Sequence, residues 1–333
     1  MLSSVKQWLV RHYIRRAVLS LSKVSIKGLE RFVPREEAQR LYSERGYDLL
    51  KRHYYSPIPD QAELDDSFWK QDSALIGVEM NETGALNLLE NVFPLYMEEF
   101  RQLFPLHREE IKRPEQFYLI NGAFMAIDAH VYYAFVRHFR PKRIVEIGSG
   151  FSTLIAAACV KKVEEEEQAS EAPRLTAIEP YPPPFLREGL AGLSQLVERK
   201  VQDVDLDLFT SLEAGDILFI DSTHVLRAGG DVQMEYCEIL PRLAPGVIVH
   251  IHDISLPKSY PRIYFEKEQY YWNEQYLLQA FLTFNSRFEV LWPGNYMMLK
   301  YPEQVTTVFP EFNVMRERFP LSEPSSFWMR LKA

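Results

Sequence analysis

From Arg140 onward the hydrophobic positions come in short β-branched bursts, each followed by a segment with helical spacing. Ile144, Val145 and Ile147 form the first burst; Arg174 to Glu179, Leu196 to Val201, Asp216 to Asp221 and Val247 to His252 form the next four. Apolar runs of this length suit strands buried on both faces, and their alternation with helices predicts a parallel sheet covered on both sides. Two more strands are expected at Phe288 to Trp292 and Asn295 to Lys300, close enough to form an antiparallel hairpin around Pro293 and Gly294. Before Arg140 the pattern is mostly helical. Leu86 to Phe104 has apolar residues at helical spacing with a break or kink expected at Pro94, and Ala123 to Phe139 keeps the same spacing uninterrupted. The run Glu164 to Glu167 reads as a solvated loop, and the little-patterned tail from Tyr301 is expected to dock through Phe327 and Trp328.

Four regions follow: a basic amphipathic helical arm over 1–35, a helical or lid region over 36–117, the sheet domain over 118–300 and a docking tail over 301–333. In the arm, Lys6, Arg11, Arg15, Arg16, Lys23, Lys27 and Arg31 alternate with Leu2, Val5, Trp8, Leu9, Ile14, Val18 and Leu21. Charges interrupt every apolar run short of the roughly 18 residues a membrane span needs, so neither a span nor a signal peptide is expected. The arm reads as packed on its own domain or a sister subunit, or as lying on an anionic membrane surface. The HYYSPIPD loop, His53 to Asp60, reads as a lid, a substrate wall or plain packing.

Composition narrows the class. A 333-residue chain with 47% hydrophobic residues holds a sizeable core, and its net charge of -8 argues against nucleic acid as the main partner. Only Cys159 and Cys237 are present, which excludes a disulfide framework and points to a reducing cytoplasm, with the inner membrane surface as the place of any contact by the arm. A small molecule is the expected substrate, and self-association is open.

Candidate chemistry lies at the strand tips, because open parallel sheets bind ligands at the carboxyl ends of their strands. RIVEIGSGFST, Arg143 to Thr153, has the order of a strand, a nucleotide-binding turn and a helix, with Gly148 and Gly150 letting the backbone turn tightly. Its third fingerprint position is Thr153 rather than glycine, so the dinucleotide match is incomplete. Glu146 before the turn would repel a pyrophosphate, and Glu179 closing the second strand can accept hydrogen bonds from a ribose diol. The fourth strand ends in Asp221-Ser222-Thr223-His224 and the fifth in His250-Ile251-His252-Asp253, on adjacent strands about 4.8 Å apart. These tips can converge on one ion. Alternation puts His250 and His252 on one face and Asp253 on the other unless the chain turns there.

The ordered set VEIGSGFST, AIEPY, VQDVD, DILFIDSTH and GVIVHIHDI resembles the class I S-adenosylmethionine-dependent methyltransferases, and its ending is most similar to methyltransferase family 24. The resemblance covers roughly Tyr118 to Lys300. It implies a Rossmann-like, seven-stranded, mostly parallel α/β sheet in the order 3-2-1-4-5-7-6. It also implies S-adenosylmethionine as cofactor, with Glu146, Gly148 and Gly150 along its methionine and sugar portions, Glu179 on the ribose hydroxyls and Asp203 near the adenine amino group. Asp128 faces the same pocket in many relatives, against a plain reading as a surface helix residue.

Metal-dependent O-methyltransferases resemble the second constellation, although their Asp-Asn pair is His-Asp here. Methyl transfer to an alcohol needs its oxygen deprotonated or nearly so, and a divalent cation lowers a coordinated hydroxyl's pKa. The expected ligands are Asp221, Asp253 and His252 for magnesium or manganese, ahead of iron, with His224 as general base and His250 as a hydrogen-bonded core histidine. The expected activity is metal-assisted O-methylation of a small hydroxylated molecule such as a sugar or secondary metabolite. A mononuclear iron oxygenase using His224, His252 and Asp253 is a second reading, and a non-catalytic binding protein on the same fold a third. The aromatic insertion Leu256 to Tyr276 reads as substrate cover or packing, and its Asn273, Glu274 and Gln275 as no more than a helix start.

Overall fold

The computed structural model describes residues 13–16, 18, 21, 22, 25, 28, 31–48, 50, 52–166 and 172–332. Contacts divide the chain into two compact units, Met1–Pro59 and Asp60–Ala333. Much of the expected basic arm, including Lys6, Arg11, Lys23 and Lys27, lies outside the described residues. In the first unit a helix spans Arg35–Ser43, carries Glu36 and Glu37 in its first turn where they complement the helix dipole, and buries Ala38. Tyr54 and Tyr55 are exposed.

The second unit is built on seven strands: β1 (Arg143–Ile147), β2 (Arg174–Ile178), β3 (Gln195–Val197), β4 (Ile217–Ile220), β5 (Ile248–Ile251), β6 (Phe288–Pro293) and β7 (Phe327–Leu331). They pair in the order β3-β2-β1-β4-β5-β7-β6. The first five are parallel and β7 runs antiparallel to both β5 and β6. This is the expected order, reached with a different seventh strand. Asn295 to Lys300, expected above as the hairpin's second strand, lies in a helix, Gly294–Lys300. The short apolar run Tyr296 to Leu299 fits strand and helix alike by pattern, but methionine, leucine and lysine are strong helix formers. The aromatic FWMRL run of the tail, better suited to a pleated surface, takes the place between β5 and β6. The sheet domain therefore continues to Leu331.

Helices α1 (Glu82–Asn87), α2 (Pro94–Leu103), α3 (Asp128–Phe139) and α4 (Phe151–Glu166) position the sheet. The break expected near Pro94 is a π-helical turn, Leu88–Val92, and Pro94 opens α2, where a missing N–H costs nothing. Helix α4 runs on to Glu166, so the start of the acidic run is helix surface rather than loop. There Lys161–Glu164 (2.6 Å) and Lys162–Glu166 (3.2 Å) pair at helical spacing. Strand alternation sorts the core into two layers. Ile144, Phe219, Ile248 and Trp328 pack beneath α3 and α4, while Val145, Ile147, Leu218, Val249 and Met329 face the other layer.

Candidate functional site

Four of the five parallel strands, β1, β2, β4 and β5, gain one backbone hydrogen bond beyond their last paired residue. Gly148 N donates to Ile178 O (3.0 Å), Glu179 N to Val197 O (3.1 Å), Asp221 N to Ile147 O (2.8 Å) and His252 N to Ile220 O (2.9 Å). The sheet's carboxyl edge thus carries Gly148, Glu179, Asp221 and His252 side by side. Gly148 has φ +79°, and a Cβ there would lie 1.8 Å from the Asp221 carbonyl oxygen, so no other residue fits. Gly150 differs: a Cβ on it would meet nothing within 4 Å, and its N–H donates to Thr153 Oγ1 (3.0 Å).

A cavity of about 330 Å³ opens above this turn, lined by Gly148, Glu179, Tyr181, Asp221 and Thr223, among others. Backbone N–H groups of Ser149 (3.3 Å) and Tyr181 (2.8 Å) hold the Glu179 carboxylate at its edge. Glu146 lies below, fully buried, with the Tyr132 hydroxyl donating to its Oε1 (2.9 Å). Burial pushes its carboxyl up to about 7, against the hydrogen bonds from Thr153 and Tyr132. Asp203 is exposed and outside the lining; the neighbouring Lys200, Val201 and Gln202 line the cavity instead. Lys200, Gln202 and Arg227 escaped the sequence reading. Their signal was their place just after the β3 and β4 tips.

A second cavity, about 230 Å³, lies on the far side of the β5 tip, lined by Asp128, His252, Asp253, Tyr260, Tyr264, Asn295 and Ser325, among others. Asp128 is no surface residue. It is buried at the start of α3 and accepts from the Ser325 N–H (3.0 Å), the Ser326 N–H (2.9 Å) and the Ser326 hydroxyl, pinning the segment that leads into β7. The Ser325 hydroxyl donates to Asp253 Oδ1 (3.3 Å).

Between the cavities stand Asp221, which lines the first, Asp253, which lines the second, and the buried His224. His224 Nε2 is 3.3 Å from Asp221 Oδ1 and 3.3 Å from Asp253 Oδ2, and Nδ1 donates to Glu274 Oε2 (2.9 Å). One ligand atom from each of Asp221, His224 and Asp253 lies within 4.8 Å of the others. His224 (φ +60°) and Asp253 (φ +55°) both sit in the left-handed region that non-glycine residues seldom adopt, and the turn at Asp253 swings its carboxylate in beside His224. His252 falls outside this group of three. Its Nδ1 has no partner among the described residues, and its Nε2 is 3.5 Å from Ser325 Oγ.

Charge sets the protonation here. Burial drives the His224 imidazole toward neutrality, but Asp221, Glu274 and Asp253 outweigh it and raise its pKa well above the ordinary value. Burial would raise Asp221, yet the His252 and His224 imidazoles hold its carboxyl below the usual range. His252 is likewise raised, burial being outweighed by Asp221, Asp253 and Asp128. His250 is not the hydrogen-bonded core residue expected. It stacks on Phe219 (3.9 Å between centroids), both ring nitrogens lack a partner among the described residues, and burial pulls its pKa well below the ordinary value.

A mostly parallel sheet in this strand order, with a glycine turn after β1 and an acidic residue after β2, defines the class I methyltransferases. The family model described as a methyltransferase domain, that of family 24, matches residues 145–254, which places the sheet domain in that class. An uncharacterised protein of Archaeoglobus fulgidus is 36% identical over 173 residues, a match spanning 48% of this chain and 72% of that protein. Among solved structures, the plantazolicin methyltransferase BpumL in complex with SAH matches 61% of this chain and 81% of its own, at 10% identity and a TM-score of 0.35. The StiE O-MT matches 60% and 71%, at 14% identity and a TM-score of 0.27. The assignment rests on the strand order and the family match.

Proposed function

We propose that this chain is an S-adenosylmethionine-dependent O-methyltransferase that works with a divalent cation on a small hydroxylated molecule. The observation that carries the reading is the position of Asp221, His224 and Asp253 between two cavities, one over the glycine turn and one beyond β5. The first cavity suits the methyl donor: Glu179 offers a carboxylate to a ribose diol, and side chains of both signs, Asp221 and Asp231 with Lys200 and Arg227, match a ligand that is itself of mixed charge. The second is a pocket for a small acceptor, and the net charge of -8 leaves nucleic acid outside the reading.

Two carboxylates and one imidazole nitrogen form a donor set that fits magnesium or manganese, and Asp221, Asp253 and His224 Nε2 would hold the ion. Such a cation, when bound, lowers the pKa of a hydroxyl that reaches it. This ligand set takes His224, expected as the base, in place of His252, which lines the acceptor cavity. The group offers one histidine with two carboxylates, unlike the two-histidine, one-carboxylate set of an iron oxygenase.

Calorimetry with S-adenosylhomocysteine should give micromolar binding that weakens at least about tenfold in Glu179→Ala, the scale of a lost charge-assisted hydrogen-bond pair. No binding to the wild type would end the cofactor claim. Methyl transfer to a panel of small alcohols should stop with a chelator and return with magnesium or manganese; full activity in chelator would end the metal claim.

A further inference from the structure

Helix α5 (Glu274–Leu282) begins in a manner that an ordinary helix start does not require. First-turn glutamates are commonly solvated, yet Glu274 and Gln275 are both fully buried. Their polar atoms, with those of Asn273, go to the two loops that carry the proposed cation ligands. On the loop after β4, His224 O accepts from Asn273 N (3.0 Å) and Glu274 N (3.2 Å), Asn273 Oδ1 accepts from Leu226 N (2.6 Å), and Glu274 Oε2 accepts from His224 Nδ1 (2.9 Å). On the loop after β5, Gln275 Oε1 accepts from Ser255 N (3.0 Å), its Nε2 donates to Lys258 O (3.0 Å) and its N–H donates to the Tyr260 hydroxyl (3.1 Å). Three consecutive residues therefore join the loop bearing Asp221 and His224 to the loop bearing Asp253.

We propose that Asn273-Glu274-Gln275 is a clasp that positions the cation ligands: Glu274 fixes the ring of His224 so that Nε2 faces Asp221 and Asp253, and Asn273 and Gln275 set the spacing of the two loops. The proposal rests on the metal reading above. The chemistry is that of a carboxylate behind a ligating histidine, which fixes the ring's orientation and the nitrogen that binds. The free φ of His224 alone would not do so, since its left-handed backbone conformation is disfavoured and needs outside support. Glu274 touches neither cavity lining, so it is a positioning residue rather than a catalytic one.

The test is binding of Mn²⁺ to the full chain, read by calorimetry and by loss of the free-ion paramagnetic resonance signal, with S-adenosylhomocysteine affinity as internal control. Glu274→Ala should weaken Mn²⁺ about 10- to 100-fold, while Glu274→Gln, which keeps an acceptor for Nδ1–H, stays within about threefold of wild type. Affinity for S-adenosylhomocysteine should change less than about threefold in both, because its cavity is formed by other residues. Unchanged Mn²⁺ affinity in Glu274→Ala overturns the clasp; so does a Gln variant as weak as Ala, or parallel loss of both ligands. Should Glu274→Ala fail to fold, Gln275→Ala decides, with Mn²⁺ several-fold weaker supporting the clasp and wild-type affinity overturning it. A wild type that binds S-adenosylhomocysteine but no Mn²⁺ removes the metal reading itself, which is distinguishable from failure of the clasp alone.

Discussion

The two cavities flanking Asp221, His224 and Asp253 are built by different means. The one over the glycine turn is largely a backbone construction: Gly148 packs against the Asp221 carbonyl, and Glu179 is held by two N–H groups of nearby loops. The one beyond β5 is assembled from side chains of segments far apart in sequence, with Asp128 from α3, His252 and Asp253 after β5, Asn295 after β6 and Ser325 before β7. Backbone construction tolerates little substitution at one or two positions and much elsewhere. Side-chain construction spreads the cost over many residues, each held by its own partners.

The strongest way to break this contrast is Gly148→Ala. The added methyl overlaps the Asp221 carbonyl and the positive φ is lost to it, so S-adenosylhomocysteine binding should disappear and stability should fall by about 3 kcal/mol; Gly150→Ala should cost less than about 1 kcal/mol. Urea titrations of the two variants would show equal losses if the two glycines were equivalent.

Next in size is a pH effect beneath the donor cavity. Glu146 has its carboxyl raised from 4.5 to about 7 by burial. The folded chain therefore holds a proton that the unfolded chain releases, and stability is greatest below about 4.5 and declines as pH climbs to about 7, by on the order of 3 kcal/mol. Relative to Glu146→Gln, wild type should lose melting temperature between pH 5 and pH 8. Parallel curves for the two proteins would mean that Glu146 ionises as freely folded as unfolded.

Asp253→Ala sharpens the contrast from the other side. Turnover should drop about 100-fold while S-adenosylhomocysteine affinity moves less than about threefold, since Asp253 lines only the acceptor cavity. Comparable losses in both would merge the two cavities into one site. The smallest effect belongs to Asp203→Ala, where an exposed side chain outside the lining should alter cofactor affinity less than about twofold; a tenfold change would bring Asp203 back to the adenine.

What could be read in the chain follows the same division. The glycine turn, Glu179 and the acidic strand tips lie within a few residues of their strands, so local pattern exposes them, while the sheet order came only through the family resemblance that these motifs carry. His224 was visible as chemistry but not as a role, because the partner of its Nδ1, Glu274, lies fifty residues on and is fully buried. Asp128 stayed between a pocket and a surface reading for the same reason: its partners, Ser325 and Ser326, lie near the other end of the chain. Asn295 to Lys300 misled because a short apolar run fits strand and helix alike, and the competing β7 strand came from a stretch with no periodic signal.

The position of β7 also bears on the order in which the molecule can be made. Strand β5 leaves the ribosome long before residues 327–331, and its outer edge pairs only with them. Until then a mostly apolar strand edge stands open next to the nascent chain, the kind of edge that recruits foreign strands. Completion of the sheet and protection from aggregation therefore coincide with the arrival of a single five-residue segment.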